Sequence, residues 1–268
     1  MNREEIGKYV GIYWLYFRQY WKSRLVYKKD FLLGTTAHLT SVSVSLIFLT
    51  LVFTQIESLN GWSFNEMLFL SGFGGVVVFT HNVFLYNATR IGEDYILTGD
   101  FDRFLVRPLD PLFQVYADNI RDSNLPKIIA NIALVIYASL QLGLEVGLIK
   151  LIYAGLSLGS GILIMGSIYL LFSSTAFWTG TSRSAVWLLF RMSNFRKYPF
   201  EIFGIAVQAL LVTLVPLAFA TIFPASFILG KEGQELWQVI LPLAGPLFFY
   251  ISYRFWRFGL GRYSSTGS

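Results

Sequence analysis

The chain has 268 residues, of which 54% are hydrophobic, 18% are aromatic and only 14% are charged. An average soluble domain carries about 25% charged residues, so the composition excludes an ordinary soluble protein and indicates a polytopic membrane protein. The chain has no cysteine, which excludes disulfides, thiol nucleophiles and cysteine metal sites. The net charge of +5 does not indicate nucleic acid as a partner, because cytoplasmic loops of membrane proteins are commonly basic.

Residues 1–30 are predicted to form an amphipathic helix that lies on the membrane surface. Tyr9, Tyr13 and Phe17 recur every four residues and share one helix face, while Arg18 and neighbouring residues supply positive charge. Aromatic and basic side chains in this arrangement are typical of helices at the membrane–water interface. A core helix of a globular domain is the alternative for this segment.

Six apolar stretches follow, and a helix needs about 20 apolar residues to cross a bilayer. They predict membrane spans at 31–56, 64–86, 127–144, 151–178, 202–230 and 236–253. We therefore expect an all-α chain in which residues 1–268 form a single transmembrane domain. We expect membrane lipids to surround this domain.

The basic residues fall almost entirely on one side of this arrangement. If the N-terminus is cytoplasmic, then of the 21 Lys and Arg residues only Lys150 and Lys231 lie in outer segments. Lys and Arg are enriched in cytoplasmic loops. We therefore predict that both termini are cytoplasmic.

The longest cytoplasmic connection, 87–126, contains the sequence GDFDRFLVRPLDPLF at 99–113. A short helix is predicted to begin near Asp100 and to end at Arg107, since the residue before a proline avoids the helical conformation. Phe101, Phe104 and Leu105 would then share an apolar face. This face could rest on lipid head groups or dock into a cytosolic protein. The carboxylates of the segment favour a protein, because anionic head groups would repel them.

The same loop resembles the segment after the second span of ABC-2 type transporter permeases, in a bacterial branch with a G-x-x-D-R-x-L-x-R-P-like signature. KYPFEIF at 197–203 and PLAFATIFPASFILG at 216–230 also resemble this family. The resemblance implies an ABC-2 fold of the type V exporter kind, with six transmembrane helices, an N-terminal interfacial helix and cytoplasmic coupling helices. It also implies a bacterial inner-membrane protein.

The resemblance implies partners and a division of labour. Two permease subunits, identical or related chains, would form the pathway, and two ATP-binding subunits would bind ATP and Mg²⁺. This chain would then need no cofactor and have no enzyme activity, and it has no Walker sequence. The expected function is ATP-driven export of an amphipathic substrate. The predicted ATPase-coupling residues are Glu93, Asp94, Asp100, Phe101, Asp102, Arg103, Phe104, Leu105 and Arg107.

Polar side chains inside the predicted spans are candidates for lining the transport pathway. They are Thr36, Thr40, Ser43, Thr50 and His81. The hydroxyls could instead bond to backbone carbonyls, and a lone histidine is commonly a hydrogen-bonded core residue. The alternative function is an ion-gradient-driven secondary transporter, which usually needs ionisable groups within the membrane. Asp and Glu are absent from the middle of the predicted spans, which counts against it.

The predicted orientation can be tested with single cysteines, because the native chain contains none. A membrane-impermeant thiol reagent applied to intact cells is expected to label cysteines at Leu59, Glu145 and Lys231. Cysteines at Asp102 and Arg191 should react only after the membrane is opened. Labelling at position 102 in intact cells would contradict the orientation.

Overall fold

A computed structural model describes residues 3–24, 28–145, 147–231 and 235–265. Residues 1–2 and 25–27 of the predicted interfacial helix lie outside the described residues. The described part is all-helical, as predicted, and contains no strand. Its α-helices are α1 Arg3–Arg24, α2 Lys28–Phe53, α3 Phe64–Phe84, α4 Asp102–Leu105, α5 Pro111–Ala117, α6 Leu125–Gln141, α7 Leu148–Ser174, α8 Ala176–Thr179, α9 Arg183–Met192, α10 Ile205–Val212, α11 Phe223–Ile228 and α12 Glu235–Leu260.

Shorter helical turns join these helices. Among the described residues, 3₁₀ turns occur at Tyr86–Arg90, Asp122–Asn124, Ser193–Lys197 and Phe200–Ile202, and π-helical turns at Ile91–Ile96 and Ala218–Ile222. Four helical stretches are long and apolar enough to cross a membrane, and they match the first four predicted spans. They are Leu33–Phe53, Phe64–Phe84, Asp122–Gln141 and Leu148–Thr179. The sixth predicted span, 236–253, falls within α12, and a total of six spans stays a prediction.

Helix α3 is the centre of the bundle, and most of its side chains are buried. Ser63 begins it with a capping box, in which the Ser63 hydroxyl accepts from the Glu66 N–H and the Glu66 carboxylate accepts from the Ser63 N–H. Helix α6 packs closely beside α3, because a Cβ at Gly75 would overlap the side chain of Asn131. Small residues allow such close approach between membrane helices.

The two ends of the bundle differ in charge. At one end the Arg121 N–H donates to the Val83 carbonyl (3.2 Å), so α6 begins where α3 ends. We call this the basic end, since Arg90, Arg121 and Arg183 lie around one cleft there. At the opposite end, the far end, Lys231 forms an ion pair with Glu66 at 2.7 Å.

The predicted fifth span, 202–230, is not one continuous helix among the described residues. It is divided into α10, the π-helical turn at Ala218–Ile222, and α11. The Ala220 carbonyl lies against Gly161, in the middle of α7. The Phe227 ring is 4.4 Å from that of Tyr153, which lies near the far end of α7. The segment therefore enters the bundle from the far end and returns to it.

The chain instead runs from the basic end to the far end between Phe190 and Glu201. The Phe190 ring lies 5.7 Å from that of Tyr86 at the basic end, and Asn60 at the far end donates to the Glu201 carbonyl (3.2 Å). Between them, the Arg196 side chain lies against Gly74, halfway along α3. Arg196 and its neighbour Lys197 were counted as cytoplasmic from the sequence, and that assignment is corrected.

A shared hydrogen-bond network joins α7 to α12. The Ser160 hydroxyl donates to the Leu241 carbonyl (2.6 Å) and accepts from the Gly245 N–H (2.9 Å). It thus bridges two groups of α12 that would normally bond directly to each other. A Cβ at Gly245 would overlap the backbone of Ser160, so glycine is required at this crossing.

Gly245→Ala is therefore expected to destabilise the purified chain by about 1–3 kcal/mol, a typical cost of overpacking. Gly11→Ala in α1 is the matched control, because nothing in the described part of the chain lies within 4 Å of a Cβ at that position. The control should be neutral or slightly stabilising, since alanine favours helix. Thermal unfolding in detergent measures both variants, and equal midpoints would contradict the assigned packing.

Candidate functional site

The loop that follows α3 is fastened to the bundle by two phenylalanine rings. The side chains of Phe101 and Phe104 are 0% and 1% exposed. The Phe101 ring lies 5.6 Å from Phe177 and 5.0 Å from Tyr263. The buried cluster around these rings, which we call the clamp, consists of Ala88, Ile91, Tyr95, Ile96, Phe101, Phe104, Leu112, Val115, Leu170, Ala176, Phe177 and Trp256. The clamp therefore connects the loop to α7, α8 and α12.

The prediction that Phe101, Phe104 and Leu105 form one exposed apolar face is corrected. Helix α4 is only four residues long, and Phe101 precedes it. Both rings turn inward, because burial in the clamp removes more aromatic surface from water than exposure on a short helix can. The outward surface is formed by Leu105 (43% exposed) and the neighbouring Val106 (81% exposed).

The charged residues of this loop bond mainly within the chain. Asp102 accepts hydrogen bonds from Tyr263 (2.9 Å) and Ser265 (2.6 Å). Arg103 forms an ion pair with Asp118 at 2.8 Å, and Arg107 donates to the Tyr16 hydroxyl in α1 (3.1 Å). Asp100 is exposed. These bonds fix the loop relative to α1, α5 and the segment that follows α12.

Tyr95, a residue of the clamp, forms a hydrogen bond with a carboxylate. The Tyr95 hydroxyl donates to Asp118 at 3.0 Å, and the same carboxylate binds Arg103. Burial, and next the negative charge of Asp118, raise the pKa of Tyr95 above its usual value. The phenol therefore stays protonated and remains a hydrogen-bond donor throughout the physiological pH range.

The π-helical turn Ile91–Ile96 connects the loop to the start of α9. The Glu93 carboxylate accepts from the Thr181 hydroxyl (2.6 Å) and from the Ser182 N–H (3.0 Å). Gly92 allows this contact, because a Cβ there would overlap the Ser182 backbone. Asp94 pairs with Arg90. Glu93 and Asp94 line a charged cleft of about 310 Å³ together with Tyr86, Thr89, Arg90, Arg121, Arg183, Val186, Trp187 and Phe190.

A second feature is a polar cavity of about 210 Å³ inside the bundle. It lies between α2, α3, α6 and the turn Ser193–Lys197. Its lining residues are Ser41, Val42, Ser45, Leu46, Ser71, Val78, Phe79, Asn82, Lys127, Asn131, Leu134, Phe190, Ser193, Asn194, Arg196 and Lys197. None of these residues is Asp or Glu, so the cavity carries positive charge without a carboxylate among its lining residues.

The predicted pathway residues do not line this cavity. The Thr36, Thr40 and Thr50 hydroxyls donate to carbonyls of their own helix at 2.9, 2.9 and 3.0 Å, which is the alternative left open above. Ser43 is exposed on α2. His81 is fully buried, stacks on Tyr169 at 4.8 Å and bonds to Asn82 through Nδ1. Their role in transport stays a prediction.

The cavity residues were missed because the segment from Phe190 to Lys197 was interpreted as a connection between spans. One signal was available in the sequence: Asn131 lies inside the third predicted span, where a polar side chain is costly and commonly functional. A second signal was the i, i+4 pair Ser41 and Ser45, which marks a different face of α2 from the threonines.

Comparison with known families decides the class of the protein. The model described as "ABC-2 family transporter protein" matches residues 39–267. The chain belongs to this family. No curated protein matches the chain. The ABC-2 match covers the loop with its clamp, the cavity and α12, so the chain is a permease component of an ABC transporter and a multi-pass membrane protein. ABC-2 permeases are generally non-catalytic and work with ATP-binding subunits.

The clamp yields a stability prediction for this ABC-2 permease. Phe101→Ala removes a fully buried ring and should lower the free energy of unfolding by roughly 3–5 kcal/mol. Val106→Ala is the control, since exposed substitutions usually change stability by no more than about 0.5 kcal/mol. Thermal unfolding of the purified permease compares them. An unchanged midpoint for Phe101→Ala would show that the ring does not stabilise this chain.

Proposed function

We propose that this permease is the membrane subunit of a bacterial ATP-driven exporter. Two permease subunits, identical or related, form the pathway in the inner membrane, and two ATP-binding subunits dock at the basic end, which faces the cytoplasm. ATP and Mg²⁺ bind to those partners. The observation that carries the proposal is the clamp, which holds a loop with an exposed apolar tip rigidly against three helices of the bundle.

A coupling element needs a surface for the partner and a stiff connection to the spans. Leu105 and Val106 supply an exposed apolar surface at the basic end. Phe101 and Phe104 supply the connection, since their rings pack on Phe177 and Tyr95. The nine predicted coupling residues thus divide into outward and inward groups. Leu105 and Asp100 face the partner, and the others, including Arg107 through its bond to Tyr16, hold the loop in place.

An amphipathic substrate is supported by a second, larger cavity towards the far end. It has a volume of about 550 Å³ and is lined mainly by apolar residues of α3, α6 and α7, including Phe69, Phe73 and Leu158. Glu145 and Lys150 also line it and supply charge. A mostly apolar cavity with a few polar groups suits a molecule that has an apolar body and a polar part.

Pairing with a second permease is supported by an open face on α7. Gly155 and Gly159 form a G-x-x-x-G motif, which often mediates contact between membrane helices. Nothing in the described part of the chain lies within 4 Å of a Cβ at either position. The motif is therefore available to a second subunit.

The docking surface is tested by co-purification. The double variant Leu105→Asp/Val106→Asp should reduce recovery of the ATP-binding subunit at least about tenfold, because a hot spot contributes about 2 kcal/mol or more. Leu105→Met/Val106→Ile is the matched control, which keeps the apolar surface and should bind normally. If lipid head groups cover this surface instead, the Asp variant will keep its ATPase, and the docking proposal is wrong.

The energy source is tested by transport. Proteoliposomes containing the permease with its ATP-binding subunits should transport substrate with ATP and without an ion gradient. The permease alone should be inactive under both conditions. Transport by the permease alone, driven by an ion gradient, would favour a secondary transporter.

A further inference from the structure

Three positively charged side chains meet at the polar cavity. Lys127 comes from the first turn of α6, and Arg196 and Lys197 come from the turn Ser193–Lys197. All three line the same cavity of about 210 Å³, so their charges repel one another. Like charges are costly to hold together where little water is present. Because none of the residues lining the cavity is acidic, the positive charge of the cavity favours a negatively charged ligand.

Arg196 is the most constrained of the three. Its side chain is 5% exposed, and one terminal nitrogen donates to the Ser193 carbonyl at 3.1 Å. Its Nε is buried and has no hydrogen-bond partner among the described residues. Buried polar atoms are nearly always bonded, so the Arg196 side chain is incompletely bonded within the described part of the chain.

The aromatic ring of Phe79 holds the charges in position without neutralising them. The Arg196 guanidinium lies 5.6 Å from its centroid and the Lys127 ammonium 4.9 Å from it. Cation–π contact attracts a cation to the ring face but leaves its donors available. Lys197 is oriented by the Ser45 hydroxyl, to which its Nζ donates at 3.3 Å.

The remaining lining groups suit an oxyanion. Ser71, Asn82 and Asn194 add hydroxyl and amide groups to the three cations. Arginine with lysine is the usual combination for phosphate oxygens. The volume of about 210 Å³ is smaller than the 300–1,000 Å³ of pockets for drug-sized ligands. The cavity therefore has room for a head group rather than for a whole amphipathic molecule.

We propose that this cavity binds the phosphate-bearing head group of the molecule that the permease transports. A phosphate monoester carries about −1.5 to −2 charges at neutral pH, which matches three cations better than a single carboxylate does. The inference rests on the proposed transport function and gives it a substrate class. The phosphate could belong to a phospholipid or to a water-soluble phosphate ester.

Ligand-dependent stabilisation of the purified full-length permease tests the site, because a ligand that binds the native state raises the midpoint of thermal unfolding. The probes are dihexanoyl-phosphatidic acid, glycerol 3-phosphate and, as a zwitterionic comparison, dihexanoyl-phosphatidylcholine. Phosphatidic acid should raise the midpoint and phosphatidylcholine should not. A response to glycerol 3-phosphate as well would show that the phosphate alone suffices, and no such response would identify a lipid.

Two variants and a control assign the response to the cavity. Arg196→Gln and Lys197→Gln should each weaken the apparent affinity for phosphatidic acid roughly tenfold, since a charge-assisted hydrogen bond is lost. Lys8→Gln, at an exposed lysine of α1 that lines neither cavity, should bind like the unmodified chain. Lys197→Gln keeps the test valid if Arg196→Gln fails to fold.

Equal affinity in Lys197→Gln and the unmodified chain, or no stabilisation by either phosphate compound, would overturn the proposal. The measurement does not involve the ATP-binding subunit. If the unmodified chain shows no anion binding but co-purifies with the ATP-binding subunit, this inference alone is refuted. If the chain binds the anion but does not co-purify with the ATP-binding subunit, the proposed coupling alone is refuted.

Discussion

The burial of Phe101 and Phe104 is the interaction on which the rest of the basic end depends. The Phe101 ring packs against α8 and the segment after α12, and the Phe104 ring packs against Tyr95 and Phe101. The loop has no long helix of its own. Without that burial, the ion pair of Arg103 with Asp118 would hold the loop through exposed or half-exposed groups, which contribute about 0–1 kcal/mol. The aromatic clamp supplies the stiffness, and the polar bonds supply the orientation.

A second feature of the structure lowers the stability of the folded chain instead of raising it. Arg196 and Lys197 lie along the bundle, where unpaired charge is expensive. The surrounding structure lowers that cost with the Phe79 ring, the Ser193 carbonyl and the Ser45 hydroxyl. These contacts are weaker than a carboxylate partner would be. A chain selected for stability alone would place a carboxylate or an apolar residue here, so the retained charge fits a site that must accept and release an anion.

The sequence predicted the all-helical fold and the first four long apolar helices, because long hydrophobic runs have a clear length and period. It was incomplete at the fifth span, since 202–230 is apolar enough to cross but is divided by helical turns around Pro216 and Pro224. It also failed for Arg196 and Lys197, because charged residues are interpreted as lying outside a membrane by default. The loop at 99–113 was recognised by its motif, yet the direction of Phe101 and Phe104 depends on Phe177 and Tyr263, which lie far away in the sequence.

The loop and the cavity are linked by one short segment of chain. Glu93 in the π-helical turn holds the backbone of Ser182, α9 begins at the next residue, and it leads directly into the turn that carries Arg196. Helix α9 packs against α7, and its side chains Val186, Leu189 and Met192 are buried. Under the proposed function, a displacement of the loop by the ATP-binding subunit reaches Ser182 first. It would then shift Arg196 relative to Lys127, which is anchored on α6.

Separating these two cations lowers the affinity of the cavity for an anion, because both charges act on it only while they are close. The same short connection can therefore convert movement at the basic end into release of the head group inside the bundle.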